Sequence, residues 1–161
     1  MYNQNNLKVL KHAGKEVGFS NKLSHVAFYG NRTVATDGFS LVEMSAEGEA
    51  HAPVFYPATL LKAVKIPKGT TLSNNDFGLT HIERPDYPNV DAVLDEACNR
   101  EDDIVIKINA TYLINALSTL KDLNRFGYVT LSIPSERGRA VVVKGEGEKQ
   151  WGRALVMPSK K

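Results

Sequence analysis

The order of the predicted segments constrains the fold most strongly, because short helical patterns alternate with runs of short strand patterns. Helical patterns cover residues 5–15, about 57–65 and 110–123, and strand patterns follow each of them. Asp37-Gly38 is the strongest hairpin signal, because glycine adopts a positive φ at little cost. Helices at this spacing pack on one face of a mostly antiparallel sheet. The order therefore predicts an α+β fold with a weak βαβββ repeat of about 50–60 residues.

An acidic tract divides the chain into two predicted parts. Residues 91–103 are the predicted linker, because acidic side chains collect there. Residues 1–95 are predicted to form one domain of two αβββ-type halves, and residues 103–161 an additional βαβββ half. Sheet edges left exposed at the two chain ends would need pairing, which favours a homo-oligomer.

Several classes of function are disfavoured by the composition. Cys98 is the only cysteine, so an internal disulfide is excluded. No N-terminal apolar run or membrane-spanning stretch is present, and we expect a cytoplasmic protein with no membrane partner. The four histidines show no metal-ligand spacing, and residues 145–147 are too short and acidic for a phosphate loop. We therefore predict no cofactor, no metal and no catalytic residues.

The charge is segregated along the sequence, although the formal net charge is only +2. Basic residues fall on the three predicted helices and at their ends, and those near the second helix have no acidic neighbours. Such a surface gives salt-sensitive affinity for DNA without reading its sequence. The alternative is that these side chains only keep helix surfaces soluble. The predicted DNA-binding residues are Lys8, Lys11, Lys15, Lys62, Lys65, Lys68, Lys121 and Arg125.

Four segments together resemble a known family. In chain order they read TVATDGFSL, DYPNVDAVL, INATYLINALSTL and ALVMPSKK. They resemble the bacterial replicative sliding clamp, the β subunit of DNA polymerase III. The chain departs from that family in its length of about three repeat halves, in Phe39-Ser40 where the family has His-Arg, and in its Ser-Lys-Lys end. Closure of a ring in the family's manner is therefore an open question.

The resemblance implies a DNA-clamp-like fold, sequence-independent binding of double-stranded DNA, and a hydrophobic groove for peptides of DNA polymerase and other clients. Small and apolar residues from two segments suit such a groove. The alternative is that the Thr-Asp-Gly segment is only a turn and the Val-Met-Pro segment only a buried last strand. The implied peptide-binding residues are Thr36, Gly38, Phe39, Ser40, Leu41, Pro88, Val93, Leu155, Val156, Met157, Pro158 and Ser159.

Three functions follow as hypotheses. The first is a sliding-clamp-like processivity factor in DNA replication, without enzymatic activity, that assembles as a homo-oligomer. The second is a monomeric decoy or adaptor that captures clamp-binding peptides and so modulates replication. The third is a small enzyme of unknown type.

Overall fold

The structure is a computed structural model, and it describes residues 1–15, 23–83, 86–98, 104–135, 138–148 and 150–159. The chain divides into two compact units, Met1–Cys98 (unit 1) and Asn99–Lys161 (unit 2). Each unit contains one antiparallel sheet with short helices. The α+β class is therefore confirmed. None of the helices in the described ranges is long and apolar enough to cross a membrane.

The sheet of unit 1 has four antiparallel strands in the order β3-β2-β1-β4. Its strands are β1 (His25–Phe28), β2 (Arg32–Thr36), β3 (Leu41–Ser45) and β4 (Val54–Pro57). The predicted Asp37-Gly38 hairpin joins β2 to β3, with Thr36 opposite Leu41. Gly38 has a φ of +88°, the left-handed conformation for which glycine is favoured.

One face of this sheet packs against short helical segments. These are the first 3-10 helix (Asn6–His12), α1 (Ala58–Leu61) and a second 3-10 helix (Asn74–Phe77). The core between them is aromatic: the Phe28 ring lies edge-on to Tyr2 at 4.8 Å and to Tyr56 at 5.4 Å between centroids. Tyr2 also anchors the N-terminus, because its hydroxyl accepts a hydrogen bond from the Gly30 amide at 2.9 Å.

Helix α2 (Val90–Cys98) covers the opposite face of the same sheet. Val90 and Leu94 lie one helical turn apart and pack with Ala27, Val34 and Phe55. The predicted linker over residues 91–103 is therefore wrong for residues 91–98, whose acidic side chains occupy the exposed side of a packed helix. Residues 99–103 lie outside the described ranges.

Several predicted elements are shorter in the structure. Helix α1 ends at Leu61 rather than near residue 65. Ile66, the residue before Pro67, enters the core. Segments 70–72, 79–82 and 104–108 each take part in sheet pairing through a single bridge only. These bridges join Tyr2 to Leu72, Phe55 to Ile82 and Ile108 to Pro158.

Unit 2 consists of a three-stranded sheet with a helix on one face. Its elements are α3 (Ala110–Leu120), a 3-10 turn (Lys121–Leu123), β5 (Val129–Ser132), β6 (Val141–Glu146) and β7 (Trp151–Val156). The strand order is β5-β6-β7. Asn109 caps α3, as its side chain accepts from the Thr111 amide at 2.9 Å. Ala116 and Leu120 of α3 pack on Val143 and Val156 of the sheet.

Candidate functional site

The Thr-Asp-Gly turn is held by its own side chains. Asp37 Oδ1 accepts hydrogen bonds from the amides of Phe39 at 2.9 Å and Ser40 at 2.7 Å. The Thr36 hydroxyl donates to the Ser40 carbonyl at 2.7 Å and accepts from the Gly38 amide at 3.1 Å. The Ser40 and Phe39 amides lower the pKa of Asp37. The residue types of this motif are therefore explained by the turn itself.

The other predicted groove residues of unit 1 differ in exposure. Phe39 is 99% exposed at the tip of the hairpin, and Val93 lies on the exposed side of α2. Leu41 is half-buried against the cluster of α2 and the sheet. Pro88 borders a shallow depression that Tyr29 and Phe55 also line. Unit 1 thus offers an exposed aromatic tip, and Leu41 is only partly accessible.

The predicted groove residues of unit 2 alternate along and beyond β7. Leu155 and Met157 are exposed, whereas Val156 is 3% exposed and packs in the core beneath α3. Pro158 bridges Ile108, and the Ser159 amide donates to the Lys107 carbonyl at 2.7 Å. Among the predicted groove residues of unit 2, the exposed apolar side chains are therefore those of Leu155 and Met157.

The groove predicted from the resemblance draws on both units. Residues from Thr36 to Val93 belong to unit 1, and residues from Leu155 to Ser159 belong to unit 2. The shared groove therefore stays a prediction.

Six of the predicted DNA-binding lysines lie around three adjoining concavities of unit 1. Lys8 and Lys68 line the first concavity, Lys8, Lys62 and Lys65 the second, and Lys11, Lys15 and Lys62 the third. All six side chains are exposed, and no acidic residue lines any of the three concavities within the described ranges. We call this set the lysine face; its members are Lys8, Lys11, Lys15, Lys62, Lys65 and Lys68.

The first 3-10 helix is fixed to the sheet by the buried side chain of Asn6. Asn6 is fully buried, and its Nδ2 donates to the Ser45 carbonyl at 2.8 Å. Its Oδ1 accepts from the Asn3 amide at 2.9 Å. Because Lys8 and Lys11 follow on the same helix, this anchor positions the N-terminal part of the lysine face.

The two remaining predicted basic residues belong to unit 2. Lys121 is exposed in the 3-10 turn after α3. The Arg125 guanidinium lies 4.5 Å from the centroid of the Phe126 ring. Arg125 is thus engaged with an aromatic side chain, an arrangement that basic spacing along the sequence did not predict.

An ion-pair network joins α2 to the sheet of unit 1. Arg32 Nη2 lies 2.6 Å from Asp91 Oδ1, and Arg32 Nε lies 3.2 Å from Glu43 Oε1. The guanidinium also lies 4.4 Å from the Tyr29 ring centroid. Burial acts to lower the pKa of Arg32, but Asp91 and Glu43 together raise it. Arg32 of β2 therefore links β3 and α2 to its own strand through ion pairs.

Side chains that could bind a metal ion do not cluster in the described ranges. No group of three histidine, cysteine, aspartate or glutamate side chains there could hold a metal ion. His12 Nδ1 lies 3.4 Å from the Ser40 hydroxyl, a contact between the first 3-10 helix and the Thr-Asp-Gly turn.

No protein-family model matches the chain, and no curated protein shows significant similarity to it.

Proposed function

We propose that this chain is a sliding-clamp-like accessory protein of DNA replication that binds double-stranded DNA without reading its sequence. The lysine face of unit 1 is the observation that carries the proposal. Six cations surround three adjoining concavities that no described acidic residue lines. An uncompensated basic surface of this kind attracts the phosphates of a duplex.

The chemistry of the lysine face suits phosphate contact rather than base reading. Lysine presents a flexible point charge, which suits sequence-independent contact better than a planar guanidinium does. The concavity between Lys8 and Lys68 is otherwise lined by polar residues of segments 3–5 and 69–71. Amide and hydroxyl groups there can add hydrogen bonds to phosphate oxygens.

A salt series on duplex binding tests the proposal. Fluorescence anisotropy with a labelled duplex of random sequence should give affinity that falls steeply with salt. If all six lysines of the face contact phosphates, the slope of log K against log salt is about −5. The double variant Lys62→Ala/Lys65→Ala should make that slope shallower by about 2.

Lys107→Ala is the matched control, because Lys107 is exposed in unit 2 and lies outside the lysine face. It should leave affinity and slope close to those of the unaltered chain. Equal effects of the control and the double variant, or no duplex binding at low salt, would refute the proposed DNA face.

Client binding is the second part of the proposal. Leu155 and Met157 are exposed in unit 2, and Leu41 is half-buried beside the Thr-Asp-Gly turn of unit 1. Apolar anchors of this size suit an extended peptide with aliphatic or aromatic side chains. Titration of a labelled clamp-binding peptide should saturate, and Met157→Ala should weaken the binding.

A monomeric adaptor that captures such peptides is the second candidate, and the exposure of Leu155 and Met157 favours it independently of DNA. Analytical ultracentrifugation and the duplex titration separate the two candidates. A monomer that binds the peptide but not the duplex is the adaptor, whereas an oligomer that binds both is the clamp-like protein.

A further inference from the structure

The sheet of unit 2 has one face closed by α3 and one face open. On the closed side, a Cβ built on Gly145 would lie 2.7 Å from the Leu120 carbonyl oxygen, and one on Gly152 would lie 2.7 Å from Leu120 Cδ2. Side chains that alternate with these glycines project to the other side of the sheet. Five exposed residues of that side, together with the exposed Tyr128 directly before β5, form what we call the outer face: Tyr128, Lys144, Glu146, Trp151, Arg153 and Leu155.

Aromatic rings line one end of the outer face. Trp151 pairs directly with Glu146 across β6 and β7. Tyr128 precedes β5, and Asn124 Nδ2 donates to the carbonyls of both Tyr128 at 2.8 Å and Glu146 at 3.2 Å. Tyr128 and Trp151 therefore lie on either side of Glu146.

The Trp151 and Tyr128 rings are accessible to solvent, and a third ring lies beside Tyr128. Trp151 is 68% exposed and Tyr128 is 74% exposed. The Phe126 ring stacks on Tyr128 with a centroid distance of 5.7 Å and an interplanar angle of 20°. Large rings with this degree of exposure are costly on a surface that has no partner.

Cations stand beside the rings. Lys144 pairs with Arg153 in the next row of the sheet. The Arg153 guanidinium lies 5.8 Å from the Trp151 ring centroid, and Arg125 lies 4.5 Å from that of Phe126. Three cations thus accompany three rings. Three acids, Asp122, Glu146 and Glu148, line the concavity that Arg125 and Phe126 share, and Glu146 is the one that belongs to the outer face. Rings for stacking and cations for phosphates are the two components that single-stranded nucleic acid requires.

We propose that the outer face of unit 2 binds single-stranded DNA, with bases stacked on Trp151 and Tyr128 and phosphates held by Lys144 and Arg153. The site is separate from the lysine face and does not depend on duplex binding. A β-sheet with exposed rings gives stacking that tolerates any base sequence. Glu146 lies between the rings and opposes the approach of phosphates.

Trp151 is the only tryptophan of the chain, so its emission reports directly on this site. Titration of the full chain with an oligo-dT of about a dozen nucleotides should quench that emission in a saturable way. Anisotropy with the labelled oligonucleotide then gives affinities for variants. Trp151→Ala and Tyr128→Ala should each weaken binding about 5- to 100-fold, and Trp151→Phe should retain most of it.

Two further variants make the test specific. Glu146→Gln should strengthen binding of oligo-dT, because it removes the negative charge between the rings. Tyr112→Ala is the matched control, since Tyr112 is an exposed ring on α3, the helix that covers the closed side. It should leave affinity unchanged, and circular dichroism should show that every variant is folded.

Three outcomes would overturn the proposal. The first is an emission of Trp151 that oligo-dT does not change. The second is equal weakening by Tyr112→Ala and Trp151→Ala. The third is an emission that shifts with protein concentration alone, because it would mean that a second copy of the chain covers the outer face. The duplex titration uses variants of unit 1, whereas the oligo-dT titration uses variants of unit 2. Failure of the duplex proposal and failure of the single-strand proposal are therefore distinguishable.

Discussion

Replacing Asn6 by alanine should destabilise unit 1 and loosen the lysine face. The buried side chain makes two short hydrogen bonds, to the Ser45 carbonyl at 2.8 Å and from the Asn3 amide at 2.9 Å. It also makes two longer ones, to the Met44 carbonyl at 3.3 Å and the Thr33 hydroxyl at 3.4 Å. With about 1 kcal/mol for each short bond and a further penalty for a buried carbonyl without its donor, the loss is about 2–4 kcal/mol.

Thermal unfolding followed by circular dichroism should show this loss as a midpoint lower by on the order of 10 °C for a unit of this size. Hydrogen exchange should accelerate most in the first 3-10 helix, and duplex affinity should fall because Lys8 and Lys11 follow Asn6. Asn5→Ala is the control, as Asn5 is exposed and makes no side-chain capping bond. If Asn6→Ala is no more destabilising than Asn5→Ala, Asn6 does not anchor this helix.

Three further predictions concern unit 1. Phe28→Ala should cost about 3–5 kcal/mol of unfolding free energy in denaturant titration, because the ring is fully buried among other rings. Arg32→Gln and Asp91→Asn should each accelerate hydrogen exchange in α2, at a cost on the order of 1 kcal/mol, and the double variant should add little to either. Asp37→Asn should remove one source of acid sensitivity. Since the pKa of Asp37 is lowered in the fold, its contribution to stability is present above the ordinary aspartate pKa and is lost as pH falls through the lowered value. Amide hydrogen exchange in the hairpin, compared between neutral pH and about pH 2, would measure this loss.

Local chemistry explains which elements could be predicted from the sequence. The β2–β3 hairpin was predictable because Asp37-Gly38 stabilises its own turn whatever the rest of the chain does. The start of α3 was predictable because Asn109 caps it and apolar residues recur with helical spacing. In both cases the determinants lie within a few residues of each other.

Helix α2 was missed although its signals were present. Its acidic residues suggested a linker, yet Val90 and Leu94 have the spacing of a buried helical stripe. Asn89 also marks its start, since Asn89 Oδ1 accepts from the Ala92 amide at 3.3 Å. The charge of this segment indicates a linker, whereas its apolar periodicity indicates a helix, and burial against Phe55 and Tyr87 stabilises the helix.

Long-range pairing limited the rest of the prediction. The bridge from Tyr2 to Leu72 joins segments that are far apart in sequence, and neither has a local signal for the other. The lysine face could be predicted in part, because its lysines flank predicted helices. The outer face of unit 2 could not, because Lys144 and Trp151 come from different strands, Tyr128 precedes a third, and the three meet only through the strand register.

The two sheets leave different surfaces available for binding. In unit 1 both faces of the sheet are covered, one by the short helical segments and the other by Tyr87 and α2. The groups of unit 1 that a partner can reach are therefore mainly charged side chains on the helical segments, and salt strongly screens their electrostatic interactions. In unit 2 one face of the sheet is open, and its exposed rings add stacking, which is less sensitive to salt. Raising salt from about 50 to 200 mM should therefore weaken duplex binding more than oligo-dT binding, since counterion release also gives a smaller slope per phosphate for single strands. A parallel loss of both affinities would mean that one electrostatic surface accounts for all nucleic-acid binding.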